Sequence, residues 1–293
     1  MQYHRLALGL VAGSSAANSV NGLLLRSVEA ANEWQLVFYR SASLAVSLAI
    51  VFVLLHRTRV WAELRRLTGV SIAGGVALSV TNTGFIWSVQ HTTVANTMFV
   101  LGAIPFFTAI LAWLFLGERV ARKLWITIGL AMTGVLIMVW DGVGTGSAFG
   151  NGMAVLTALG FATYVVILRR GRATDMLPII VLSGILSASV AAVMVGFDLS
   201  VSVRDAGLMI VWGAGLSALV HFLFTFGSRH VQGAELSLMA LLEFALAPIW
   251  VLLVFDERPT ALTLAGGVLV MLAVFAQAGP AFRKTPPTPD AAK

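Results

Sequence analysis

The stretch TTVANTMFVLGAIPFFTAILAWLFL (92–116), GERVARK (117–123), LWITIGLAMTGVLIMVW (124–140) decides how the rest of the chain is read. No charge interrupts Thr92–Leu116. About 25 apolar residues in helical conformation cross a hydrocarbon core roughly 30 Å thick. Glu118 and Arg119 then stand where one helix leaves the bilayer and the next, Leu124–Trp140, turns back. The arrangement returns late in the chain: Leu236–Phe255 runs into Asp256-Glu257-Arg258, and Leu262–Ala278 comes after it. Laying Glu118-Arg119 over Glu257-Arg258 gives a constant offset of 139. Without gaps, that offset also places Phe85 on Phe224, His91 on His230, Ala95 on Ala234, Ile110 on Ile249 and Leu114 on Leu253. The chain reads as two copies of one membrane unit.

The composition agrees. Of 293 residues, 58% are hydrophobic and 11% charged, a balance foreign to water-soluble domains. The net charge of +6 does not point to nucleic acid, because the basic residues sit in short loops between apolar runs with no interleaved aromatic stripe. Cysteine is absent, which removes disulfides, thiolate metal sites and cysteine catalysis. No histidine or carboxylate cluster suggests a metal, and no cofactor is expected. The N-terminal run after Arg5 continues through Val20–Leu25 and reads as a retained first span, not a cleaved signal.

Ten spans are expected, near 5–26, 34–56, 69–90, 92–116, 123–140, 149–169, 176–197, 206–228, 233–255 and 260–280. The runs are too long and too uniformly apolar for barrel strands, so the expected fold is all-α integral membrane. With the N-terminus placed in the cytoplasm, the inner segments hold 15 Lys and Arg and the outer segments 3, which favours both termini inside. The halves then enter with opposite orientation: 1–140 forms a first five-helix repeat, 141–148 a connector, 149–280 a second repeat and 281–293 a disordered Pro-rich tail. Inverted repeats place a substrate cavity near the midplane between them.

Phe85–Val135 resembles the signature of the drug/metabolite transporter superfamily, the ten-helix type with paired EamA domains. Ala95, Pro105, the Leu-Gly-Glu-Arg ending at Leu116–Arg119, and Gly129 with Gly134 carry the resemblance. Leu242-Glu243-Phe244 through Pro248, with Asp256-Glu257-Arg258, is similar to a second copy, and Ala158–Arg169 to the family's sixth helix, with Tyr164 in the usual aromatic place. Asp256 stands where the first copy has Gly117. The resemblance implies a carrier of small organic solutes in a bacterial inner membrane, most like exporters of amino acids, the aromatic branch included. Its partners are then a small-molecule substrate and the lipid bilayer, as a monomer or a homodimer. Protons are a second partner if flux is coupled.

Polar groups at mid-membrane single out candidate residues, because each costs several kcal/mol unless it is paired or faces water. Glu243 lies about 15 Å into the ninth span. It reads either as a contact for a substrate amine or a proton carrier, or as a helix–helix hydrogen bond beside Pro248. Asn82 and His221 are related by the offset, with Phe85 and Phe224 one turn further on. Asn18 belongs to a polar stripe with Ser14 and Asn21; Asn96 and Phe99 share the fourth span, Phe161 and Tyr164 the sixth. Together these residues are candidates for an amphipathic substrate cavity. Pro105 and Pro248 are candidate gating kinks in the fourth and ninth spans. Arg40 reads as snorkelling to the interface, with pairing to Glu243 or to a substrate carboxylate as the other reading. Glu118-Arg119 and Glu257-Arg258 read as turn anchors. A facilitative channel, or an exporter of drugs or of nucleotide or sugar derivatives, is the alternative function. An enzyme is not expected, since no catalytic constellation is present.

Overall fold

The computed structural model describes residues 2–65, 67–118, 120–171, 176–228 and 233–282. Arg119, the Phe224 side chain and residues 283–293 of the expected tail lie outside the described residues. The described residues are helical with no strand. The first span is Gln2–Asn18 followed by Asn21–Arg26; the second is Glu33–His56, the third Gly69–His91, and the fourth Val94–Leu101 followed by Ile104–Leu116. Arg122–Thr145, Ala148–Gly171 and Met176–Met194 form the fifth to seventh. The eighth comprises Val203–Ile210, the π-helical Val211–Ser217 and Ala218–Ser228; Gly233–Phe255 and Ala261–Phe282 are the ninth and tenth. Among the described residues, eight helices are long and apolar enough to cross a membrane, and Leu242–Phe255 and Ala261–Gln277 are shorter apolar stretches within the last two.

The surface is the inverse of a soluble protein's. Ile126, Trp140 and Leu253 are each more than two-thirds exposed, and such apolar residues line the outward faces of most spans. A surface of this kind suits acyl chains and not water. Buried in the bundle lie Ile86, Met98, Phe106, Met209 and Trp212.

Helix pairing has a regular scheme. The third span packs along the sixth and the first along the eighth. The fourth meets the sixth as the first meets the ninth, and the third meets the seventh as the second meets the eighth. Second with seventh, fourth with ninth and fifth with tenth pair across the halves. Exchanging each span with the one five places later carries these principal pairings onto themselves.

Two local features come directly from sequence. Gly117 ends the fourth span with φ +66°, the left-handed cap for which glycine is favoured. Asp256, its counterpart by the offset, adopts φ +49° at the end of the ninth. Aspartate is among the few residues that enter this region at modest cost, so the departure from glycine leaves the turn intact.

Other expectations change. The fourth span is not one helix kinked at Pro105. It breaks at Gly102-Ala103, and Pro105 occupies the first turn of the second piece, where its missing N–H is no loss. Pro248 does lie inside the ninth helix.

Candidate functional site

Three spans are interrupted: the first at Ser19-Val20, the fourth at Gly102-Ala103 and the eighth by its π segment. Broken helices free backbone groups and bring side chains to the middle of a bundle. Around the first break the polar side chains form a chain. The Asn18 amide donates to Glu243 Oε1 at 2.5 Å, joining the first span to the ninth. The Asn21 amide donates to Asn18 Oδ1, and the Trp212 indole N–H donates to Asn21 Oδ1, joining the first span to the eighth. Ser14 Oγ donates to the Val220 carbonyl at 3.1 Å, and the Trp250 indole N–H to Ser19 Oγ at 2.9 Å. Every cross-span link here runs between the first half of the chain and the second.

Arg40 closes the chain, and not by snorkelling. It is 6% exposed, and its guanidinium carbon stands 4.6 Å from the centroid of the Trp212 ring. Its Nε and Nη1 have no hydrogen-bond partner among the described residues. The reason lies in the eighth span. A Cβ on Gly213 would collide with the Arg40 carbonyl and the Ser43 hydroxyl, so glycine lets the π segment press onto the second span and lays Trp212 over the guanidinium. His221, just beyond that segment, turns Nδ1 to the Ser217 carbonyl at 2.7 Å.

The remaining sequence candidates are distributed over several places. Asn82 is buried and faces Ser183 of the seventh span at 3.5 Å, a weak contact, while Phe85 belongs to the main core. No contact among the described residues joins Asn82 to His221. Phe99 packs on Gly267 of the tenth span. Phe161 and Tyr164 lie with ring centroids 5.8 Å apart in a second apolar cluster, between the third, sixth and seventh spans. Asn96 bonds Asn151 and Thr92 in a buried network that Asn151 ties to the Met138 carbonyl at 2.8 Å. That network borders a recess of about 510 Å³, also lined by Arg26, Asp141 and Glu257. Asn18, Glu243 and Arg40 therefore lie along one polar chain, His221 bonds within its own span, and Asn96 borders the recess.

Each end of the bundle carries an ion pair between the halves, and the offset relates their glutamates. Arg26 Nε meets Glu257 Oε2 at 2.9 Å, with the side chains 24% and 18% exposed. Arg26 Nη2 also donates to the Thr92 carbonyl at 2.8 Å, and the Val94 N–H donates to Glu257 Oε1 at 2.6 Å. At the opposite end Arg169 Nη1 meets Glu118 Oε2 at 3.4 Å, 51% and 49% exposed, with no further bond to either side chain among the described residues. Glu257 and Glu118 are partners by the offset, and Arg26 and Arg169 close the first span of each half.

Residues 5–140 match the EamA-like transporter family. Residues 5–140 are thus an EamA-like unit of the drug/metabolite transporter superfamily. The chain is 24% identical over 245 residues to the pseudopaline exporter CntI of Pseudomonas aeruginosa, in strain UCBPP-PA14 and in strain PAO1 alike. The match covers 83% of this chain and 84% of the relative. A crystal structure of a protein at 15% identity superposes with a TM-score of 0.66 over 94% of this chain and 99% of its own, and so shares the fold. The chain is thus a multi-pass membrane transporter of a small-molecule substrate.

The cavity candidates that sequence supplies do not include Trp212; Arg40 reads there first as snorkelling, and Glu257 as a turn anchor. For Arg40 a signal exists: a lone cation well inside a span needs a partner or water. Glu257 carries a weaker one, since only Glu118 and Glu257 repeat a carboxylate at both turns.

Proposed function

We propose that this EamA transporter is a secondary carrier that exports amino acids or chemically similar small metabolites by alternating access. The observation that carries the reading is the buried polar chain from Glu243 through Asn18, Asn21 and Trp212 to Arg40. It links four spans from both halves where the first and eighth are interrupted. Polar groups at this depth are retained where a polar solute passes. The name of the Pseudomonas relative supports outward movement of a small metabolite.

On this reading residues 1–140 and 149–280 are inverted repeats, the termini are cytoplasmic and the membrane is the bacterial inner membrane. The symmetric helix pairing and the excess of Lys and Arg on one side support it. The two ion pairs are the end contacts that would break in turn. Glu243 is the coupling residue if protons drive export. The alternative, a channel, is not favoured by any filter-like ring.

The test is uptake of a panel of labelled amino acids into proteoliposomes loaded with the same unlabelled compounds. At least one is expected to accumulate transiently by counterflow; a flat trace for all of them would remove the amino-acid reading. Glu243→Gln is expected to abolish accumulation driven by a pH gradient while sparing exchange, and unchanged gradient-driven accumulation would rule out Glu243 as the coupling residue.

A further inference from the structure

Arg40 is the least satisfied charged group among the described residues. It is 6% exposed, and its Nε and Nη1 have no partner. A guanidinium is never discharged at physiological pH, so its charge must be met within the bundle. The face of Trp212 meets only part of it. A ring at 4.6 Å attracts the cation but accepts none of its in-plane N–H donors. Among the described residues, nearby groups add no anion. Asn21 Oδ1 is taken by the Trp212 indole, His221 is no anion, and Glu243 is engaged with Asn18 at the far end of the chain. Stability alone does not call for an arginine here, since an apolar residue of similar size would pack at no desolvation cost.

Resting on the transport reading above, we infer that Arg40 is the subsite that receives a carboxylate of the transported solute. Nε–H and Nη1–H leave the guanidinium by different edges; both lack an acceptor among the described residues, and a carboxylate oxygen meeting either makes a charge-assisted bond. Trp212 holds the plane from one face, and the Asn21 bond fixes the indole. A monoanion suits the site better than a phosphate. One cation stands there among neutral amides and an indole, and a dianion would leave charge uncompensated in the bundle. The substrate class is therefore small organic acids and amino acids with a free carboxylate; esters, amides and plain amines are excluded. Trp212 and Asn21 are positioning residues for Arg40.

The experiment monitors thermal unfolding of the detergent-solubilised full chain with 3-phenylpropionate, L-phenylalanine and L-leucine, each beside its carboxamide. The expected result is a rise in Tm with the carboxylates and at least tenfold weaker apparent affinity for the carboxamides. Arg40→Met is expected to raise the Tm of the unliganded protein and to erase the carboxylate shift; Arg40→Lys keeps the preference for acids in weakened form. A merely structural arginine would instead lower the Tm when replaced by Met and leave ligand preference unmoved. Equal stabilisation by acids and carboxamides, no stabilisation by any acid, or a carboxylate shift that survives Arg40→Met overturns the inference. Stabilisation by 3-phenylpropionate with no amino-acid counterflow leaves this subsite standing and removes the amino-acid reading alone.

Discussion

The Arg26–Glu257 and Arg169–Glu118 pairs use the same two residue types at matching places in the two halves, yet they are not equally made. The first is short, three-quarters buried or more, and reinforced at both ends, by the Thr92 carbonyl on the arginine and the Val94 N–H on the glutamate. The second is longer, half exposed and single. Exposed ion pairs are worth ~0–1 kcal/mol, and sheltered, hydrogen-bonded ones more. Among the described residues, the pair at the Arg26 end is therefore the stronger of the two.

Breaking the stronger end should have the largest effect. Glu257→Gln removes the charge facing Arg26 and weakens the acceptor at Val94; a loss of about 2 kcal/mol is expected in thermal or denaturant unfolding. Next, Asn96→Ala removes the amide that joins the fourth span to Asn151 beside the same recess. It should cost about 1–2 kcal/mol, because Asn151 loses a buried partner. Making the two turns alike sharpens the comparison. Asp256→Gly relieves a left-handed backbone that glycine adopts freely, so a gain of about 1 kcal/mol is expected, with Glu257 still in place. The smallest effect belongs to Glu118→Gln, under about 0.5 kcal/mol and vanishing in high salt. A Glu118→Gln loss equal to that of Glu257→Gln would erase the asymmetry.

The membrane class and the turn positions are readable from sequence because a hydrocarbon core demands long charge-free helices, and nothing else in a chain looks like Thr92–Leu116. Which face of a span looks inward is not readable. In lipid both faces are apolar, so the periodicity that orients a soluble helix is missing. Arg40 accordingly reads as interfacial from sequence when it lies under Trp212. The helix breaks are hidden too. Ser19-Val20 and Gly102-Ala103 carry no proline, and Pro105 comes two residues after its break. The offset pairing of Asn82 with His221 follows the helix pairing: Asn82 faces Ser183 of the seventh span, and the eighth span, which carries His221, packs on the second. Asn18 and Glu243 are legible as polar groups at depth; their contact with each other is not.

If the two ends open in turn, entry of solute must depend on what waits on the far side. Initial uptake of a labelled amino acid into proteoliposomes, measured against outside concentration with and without unlabelled substrate inside, reads this directly. A saturating curve that rises several-fold with internal substrate is the predicted result. A straight line, indifferent to internal substrate, would contradict it and make the protein a channel.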